Sequence, residues 1–217
     1  VRIDSRSGRD GEYDFGSSQA RGAGTVIYVL DTGVRIDHED FQGRALTGHS
    51  VGCQAADSCS ENYVYQGVID DASSACSSHG THCASTAAGR RWGVAKNATI
   101  VPVQVLSCRG SGSLAGVISG LEWAVQHALQ HGQPAVASMS LGGGRSQSQN
   151  DAIDAAHQSG VNCVVSSGNS ATDSCTRSPA SAPAAITVGS TTDIDEVSGF
   201  SNQGPCLDLF APGNHIT

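Results

Sequence analysis

Short apolar runs rich in β-branched residues recur along the chain at intervals that suit buried strands. They read TVIYVL at 25–30, TIVPVQVL at 99–106, AVASM at 135–139 and VNCVV at 161–165. Each run is too short for a typical helix, and such runs are typical of strands that are covered on both faces. The pattern therefore predicts four buried strands.

Helical spacing fills the intervals between the later runs. Residues 149–159 predict one helix, and Gly160 follows it where a left-handed residue suits glycine. A longer helix is predicted over 114–130 from apolar positions at helical spacing, namely Leu114, Val117, Ile118, Leu121, Trp123, Ala124, Val125 and Ala128. Strands that alternate with helices predict an α/β fold with a mainly parallel sheet and helices on both faces. Ligands of such sheets bind beyond the carboxyl ends of the strands.

Composition and charge narrow the class of protein. The chain has 217 residues, which suits one domain, and a formal net charge of −8 with no run of Lys and Arg. A general nucleic-acid surface is therefore not expected. Residues 1–217 contain no apolar stretch near the roughly 18 residues of a membrane span, so no membrane partner is expected either.

Eight cysteines are many for a reducing compartment. Cys83 and Cys163 lie among apolar or small residues, which predicts burial. The other six lie in loop-like surroundings, where exposed thiols are one alternative and disulfides are the better one: Cys53, Cys59, Cys76, Cys108, Cys175 and Cys206. This usage predicts an extracellular protein.

Three polar residues stand where this fold binds ligands. Asp31 ends the first strand within DTG, although alone it is as readily a turn former. His79 opens a helix that begins HGTHCA, and Asn169 follows a strand within SSGN, where its amide can donate to an oxyanion. Two glycine-rich stretches offer backbone for pairing with an extended peptide, through Gly110, Ser111 and Gly112 and through Ser140, Leu141 and Gly142.

The motifs, taken in order, resemble those of the subtilase (subtilisin-like serine protease) family, and of its proteinase K-like enzymes in particular. DTG and HGTHCA resemble the aspartate and histidine motifs, and SLGG at 140–143 and SGN at 167–169 resemble the substrate-binding and oxyanion motifs. SPASAP at 178–183 and FSNQG…LDLFAPG at 200–213 resemble later signatures. The similarity runs from about residue 2 to the last residue. It implies a subtilisin-like fold and a secreted serine endopeptidase with protein or peptide substrates and an N-terminal propeptide.

The resemblance also implies a role for each site residue. His79 is the general base, Asp31 orients its imidazole, and Asn169 donates to the oxyanion, while His82 is structural. The stretches at 110–112 and 140–142 hold the substrate backbone. Gly142, Gly143 and Gly168 imply a roomy specificity pocket without a charged floor, which favours apolar or aromatic residues.

The family's nucleophile motif, Gly-Thr-Ser after APG, does not occur within residues 1–217. We expect this serine to lie outside the chain, so that the fragment alone is inactive. The segment that carries it is expected as a second polypeptide, from a nick after Ile216, or as the continuation of one longer chain. The alternative is a catalytically inactive homologue that acts as a binding protein.

By the same resemblance, disulfides are expected between Cys76 and Cys108 and between Cys175 and Cys206. A Cys53–Cys59 pair is a local guess, and Cys83 and Cys163 are expected to stay reduced. A structural Ca²⁺ is expected on the carbonyls of Pro183 and Ala185 and the carboxylate of Asp208, which are hard oxygen ligands. A second, weaker calcium site is expected at Asp4 and Asp10.

Two other interpretations of the same residues stay open. A Cys/His cluster that could bind zinc is formed by Cys76, His79, His82 and Cys83. Against it, Cys76 is better used as a disulfide partner, and His79 and His82 share one short turn without a further ligand from a distant part of the sequence. The glycine-rich turn at 110–116 resembles a dinucleotide-binding turn, but no acidic residue ends the next predicted strand.

Overall fold

The structure, a computed structural model, describes residues 21–51 and 77–216 and arranges them on a seven-stranded sheet. The strand order is β2-β3-β1-β4-β6-β8-β9, and every pairing in this sheet is parallel. The strands are β1 Val26–Asp31, β2 His49–Ser50, β3 Thr99–Gln104, β4 Ala135–Met139, β6 Val161–Ser166, β8 Ile186–Thr191 and β9 Leu209–Pro212. A small antiparallel pair joins β5 Gly143–Gly144 to β7 Arg177–Ser178. The helices are α1 His79–Ala88, α2 Leu114–His131 and α3 Gln147–Gln158, which confirms the predicted α/β class.

The four strand predictions and the helix predictions over 114–130 and 149–159 are confirmed, with small shifts at their ends, and a helix begins at His79 as predicted. Helix α3 begins two residues earlier than predicted because Ser146 caps it, its hydroxyl accepting a hydrogen bond from the Gln149 amide. Gly160 has the predicted left-handed backbone, with φ of +87°. Strands β8 and β9 were not predicted, since their sequences mix Thr, Ser, Gly and Pro into short apolar runs.

Strand β1 lies inside the sheet between β3 and β4, and all six of its residues are buried. Alternate side chains point to opposite faces, so Tyr28 and Leu30 join the core under α2 and α3, while Ile27 and Val29 join the core under α1. A Cβ on Gly120 would lie 2.3 Å from Val105 Cγ1, so only glycine lets α2 approach β3 this closely. This packing fixes Asp31, the last residue of β1, at the carboxyl edge of the sheet.

The predicted disulfide between Cys175 and Cys206 is present and closes 31 residues, which stabilises by about 3–4 kcal/mol on the chain-entropy model. Cys108 is disulfide-bonded. Cys76, Cys53, Cys59, Asp4 and Asp10 lie outside the described residues, and so do the predictions made for them.

Cys83 and Cys163 are both free thiols, as expected. Cys163 is buried in the core under α2 and α3. The prediction of burial is wrong for Cys83, which is partly exposed because its position on α1 turns it toward His79 rather than into the sheet. Within 21–51 and 77–216, no helix is long and apolar enough to cross a membrane.

Candidate active site

Asp31 is held at the end of β1 by its own backbone and by the turn that follows. Its carbonyl accepts hydrogen bonds from the amides of Val105 and Leu106, just beyond β3. Gly33 has φ of +101°, a conformation that L side chains rarely adopt, and it turns the chain sharply after the carboxylate. The Asp31 side chain is only 1% exposed, so its charge needs partners within the protein.

His79 reaches this carboxylate because α1 begins directly against the Asp-Thr-Gly turn. A Cβ on Gly80 would lie 2.2 Å from the carbonyl oxygen of Gly33, so the close approach requires glycine at position 80. The Gly80 amide donates to the Thr32 hydroxyl at 3.1 Å, which ties the helix start to the turn. The motifs DTG and HGTH are therefore two halves of one packing arrangement.

The imidazole of His79 faces the carboxylate of Asp31 within the predicted hydrogen-bond range. Its Nδ1 lies 2.7 Å from Oδ1 and 2.9 Å from Oδ2. A carboxylate only accepts, so Nδ1 carries the proton and donates it, which leaves Nε2 as the basic nitrogen. Asp31 Oδ1 also accepts from the Thr32 amide at 2.7 Å, which fixes the orientation of the carboxylate.

Asp31 also sets the charge state of His79. The hydrogen bond with Asp31, a second one with Cys83 and the negative charge of Asp31 raise the pKa of His79 from 6.5 to about 10. Burial of the ring acts in the opposite direction. Cys83 Sγ lies 3.9 Å from both ring nitrogens. The His79 side chain is 47% exposed, so one edge of the ring remains open for chemistry.

A cleft of about 700 Å³, here called the histidine cavity, opens beside this pair. Both glycine-rich stretches line it together with His79. The predicted backbone-binding residues on it are Gly110, Ser111, Gly112, Ser140, Leu141 and Gly142. Exposed glycine backbone along two walls can pair with an extended peptide on both of its edges.

Asn169 does not line the histidine cavity. It lines an adjoining one of about 230 Å³, the asparagine cavity, together with Gly168. Ser140, Leu141, Gly142 and Gly143 line both cavities, so the two are separated only by this segment. Asn169 and His79 therefore line two adjoining cavities and not one shared cleft.

Two residues of this region were not predicted from the sequence. Asn202 is fully buried and holds the loop that carries Asn169: its Oδ1 accepts from the amides of Ser170 and Thr172, and its Nδ2 donates to the Ser167 carbonyl. The FSNQG motif was the available signal. Arg177 lines the asparagine cavity together with Gly142, Gly143 and Gly168, because β7 brings this distant residue alongside Gly144.

The structure also places the residues of the possible zinc cluster and of the possible dinucleotide-binding turn. Among the described residues, the group that could hold a metal consists of Asp31, His79 and Cys83, and it does not include His82. The zinc cluster proposed from the sequence is therefore not assembled by its described members. Residues 110–114 line the histidine cavity, and the Ser113 hydroxyl is the N-cap of α2, accepting from the Gly116 amide.

Replacing Asp31 by Asn should lower the pKa of His79 from about 10 toward or below 6.5, since the largest raising influence is lost. The raised pKa of His79 also makes the free energy of unfolding depend on pH. A raised pKa stabilises the fold fully below pH 6.5, and this contribution disappears as pH rises through about 10. Histidine NMR titrations of both proteins measure the shift. Asp37→Asn, which removes an exposed partner of Arg35, is the control. An unchanged His79 titration in Asp31→Asn would contradict the assignment.

Comparisons with known proteins agree with this geometry. The profile of the Subtilase family matches residues 22–217. The "Extracellular serine proteinase" of Thermus sp. (strain Rt41A) is 45% identical over 220 residues, which cover 100% of this chain and 48% of that protein. The "Alkaline serine exoprotease A" of Vibrio alginolyticus is 44% identical over 216 residues, which cover 99% and 36%. The chain thus spans about half the length, or less, of these relatives.

A solved structure described as "Crystal structure of a cold adapted subtilisin-like serine proteinase" superposes with a TM-score of 0.83 at 45% identity. The match covers 99% of this chain and 71% of that one. Sequence profile, relatives and fold all agree: the chain belongs to the subtilase family.

Proposed function

We propose that this chain is part of a secreted serine endopeptidase that hydrolyses peptide bonds of proteins. The observation that carries the proposal is the buried Asp31 carboxylate, which holds His79 by Nδ1 at the edge of a peptide-sized cleft. Extracellular location is supported by the disulfide and by the name of the Thermus relative.

In this mechanism, His79 Nε2 accepts the proton of the serine hydroxyl as the serine oxygen attacks the scissile carbonyl. Asp31 stabilises the imidazolium that forms, and His79 then returns the proton to the leaving amine. Asn169 donates to the oxyanion of the tetrahedral intermediate. The base acts only when unprotonated, and Asp31 raises the pKa of His79, so the rate should increase with pH into the alkaline range.

The nucleophile is proposed to come from a Gly-Thr-Ser segment outside residues 1–217. A third cavity, of about 490 Å³ and here called the β9 cavity, offers room for it between α1 and the strands β8 and β9. Its lining includes Cys83, Asn169, Gly213 and Ile216, so a segment seated there would lie beside the oxyanion donor. A binding protein without the serine is the second candidate, but binding alone gives no chemical reason for the bond between Asp31 and His79.

A structural Ca²⁺ is proposed at the carbonyls of Pro183 and Ala185 and the carboxylate of Asp208. One Asp208 oxygen, Oδ2, accepts from the Thr187 amide at 2.7 Å, which orients the carboxylate and leaves its other oxygen open at the surface. Hard oxygen donors of this kind suit Ca²⁺. The ion would tie the turn at 183–185 to the residue that precedes β9.

The function is tested by kinetics of peptide hydrolysis with the protein that includes the serine segment. Asn169→Ala should lower kcat by about 10²–10³ with little change in KM, the size found for the oxyanion donor of subtilisin itself. His79→Ala should abolish hydrolysis. His157→Ala, at the exposed end of α3, should change neither constant. Binding of proteins without any hydrolysis by the unmutated protein would instead support the second candidate.

Removing calcium should destabilise the protein if the proposed site exists. Chelation should lower the melting temperature, because an ion bound only to the folded state stabilises it by mass action. Asp208→Asn should melt lower in calcium and lose its response to chelator, whereas Asp151→Asn on α3 should respond as the unmutated protein does. Equal chelator shifts in Asp208→Asn and the unmutated protein would overturn the site.

A further inference from the structure

The asparagine cavity is polar and contains a single cationic side chain among the residues that line it. Its volume is about 230 Å³, smaller than the 300 Å³ or more of most small-molecule sites and suited to one amino-acid side chain. Arg177 is brought to it by the antiparallel pairing of β7 with β5, in which Arg177 faces Gly144. The disulfide at Cys175 anchors the chain two residues before it.

Three of the neighbouring polar side chains in this cavity are already engaged within the protein. Ser166 Oγ donates to the Leu141 carbonyl, Ser178 Oγ donates to Asn150 Oδ1, and both ends of the Asn202 amide are bonded to the loop that carries Asn169. These groups therefore build the walls and leave little hydrogen-bonding capacity for a ligand.

Arg177 differs from them because its charge is unmatched. Its Nε is shielded from solvent and has no hydrogen-bond partner, and its guanidinium forms no ion pair in the part of the chain that the structure describes. A buried donor without a partner costs free energy that a bound acceptor recovers. The guanidinium fork matches a carboxylate, which it binds with two parallel hydrogen bonds.

The position of the cavity identifies which part of a substrate would enter it. Asn169, the proposed oxyanion donor, lines the cavity, and so does the segment 140–143 along which the peptide backbone would pair. The residue that supplies the scissile carbonyl must therefore direct its side chain into this space. Its specificity then depends on Arg177.

We propose that Arg177 is a specificity-determining residue that makes the enzyme prefer an acidic side chain, glutamate in particular, on the carbonyl side of the scissile bond. The inference rests on the proposed function, since it names the substrate class of that same site. It differs from the apolar preference that the glycines around the pocket suggested.

The test compares kcat/KM for peptide anilides that differ only in the residue before the scissile bond, using the protein with its serine segment. Glu and Gln have nearly the same shape, so their ratio isolates charge. The unmutated enzyme should favour Glu over Gln by about tenfold or more, and high salt should reduce this ratio. Arg177→Gln should bring the ratio to about one, and Arg177→Lys should retain a preference for Glu. Arg90→Gln, which removes the same charge elsewhere, should leave the ratio unchanged.

A Glu-to-Gln ratio near one in the unmutated enzyme, with efficient cleavage after Phe, would overturn the inference while leaving the protease intact. Equal loss of the ratio in Arg90→Gln would also overturn it, because the effect would then come from net charge. Failure to cleave any peptide of the series or casein would instead count against the proposed function. The ratio in the unmutated enzyme needs no variant, so it decides the proposal even if Arg177→Gln does not fold.

Discussion

The buried carboxylate of Asp31 is the constraint around which the rest of this structure is arranged. A charge that is almost wholly removed from water is tolerated only when hydrogen bonds and an opposite charge surround it. The Thr32 amide and the His79 ring supply these partners, and both depend on glycine at positions 33 and 80. The same contacts that make the carboxylate tolerable also fix the tautomer of the imidazole and raise its pKa.

The sheet extends this arrangement to the substrate. Asp31 ends β1, the segment 140–143 follows β4, and the loop of Asn169 follows β6, so three neighbouring strands deliver the pair, the peptide-binding backbone and the oxyanion donor to one edge. Parallel strands with right-handed helical crossovers bring such ends together. Asn202 then holds the third loop from a segment more than thirty residues further along the chain. The sheet thus brings the site residues to one edge, and the hydrogen bonds of the buried Asn202 fix the conformation of the loop that carries Asn169.

Sequence reasoning predicted what local pattern encodes. The apolar runs at β1, β3, β4 and β6 and the spacing of α2 lie where the patterns indicated. The pairing of Asp31 with His79 was implied by the resemblance of DTG and HGTH to family motifs, and the structure brings the two side chains together. It did not predict contacts that depend on residues far apart. Nothing beside Arg177 in the sequence indicates that β7 pairs with β5. The contact of Cys83 with His79 is local, since the two lie four residues apart on α1, and the small residues around Cys83 wrongly indicated burial. The presence of Arg177 beside Gly142, Gly143 and Gly168 is a tertiary property, so glycine content alone did not indicate it.

The central claim is that the pair of Asp31 and His79 activates a serine from outside residues 1–217. The most direct test is to react the protein that includes the serine segment with diisopropyl fluorophosphate and to map the modified peptide by mass spectrometry. The account predicts one modified serine per molecule, in a Gly-Thr-Ser sequence, with a rate that falls as His79 becomes protonated and that is lost in His79→Ala. Modification of a serine within residues 1–217, or an equal rate in His79→Ala, would contradict it.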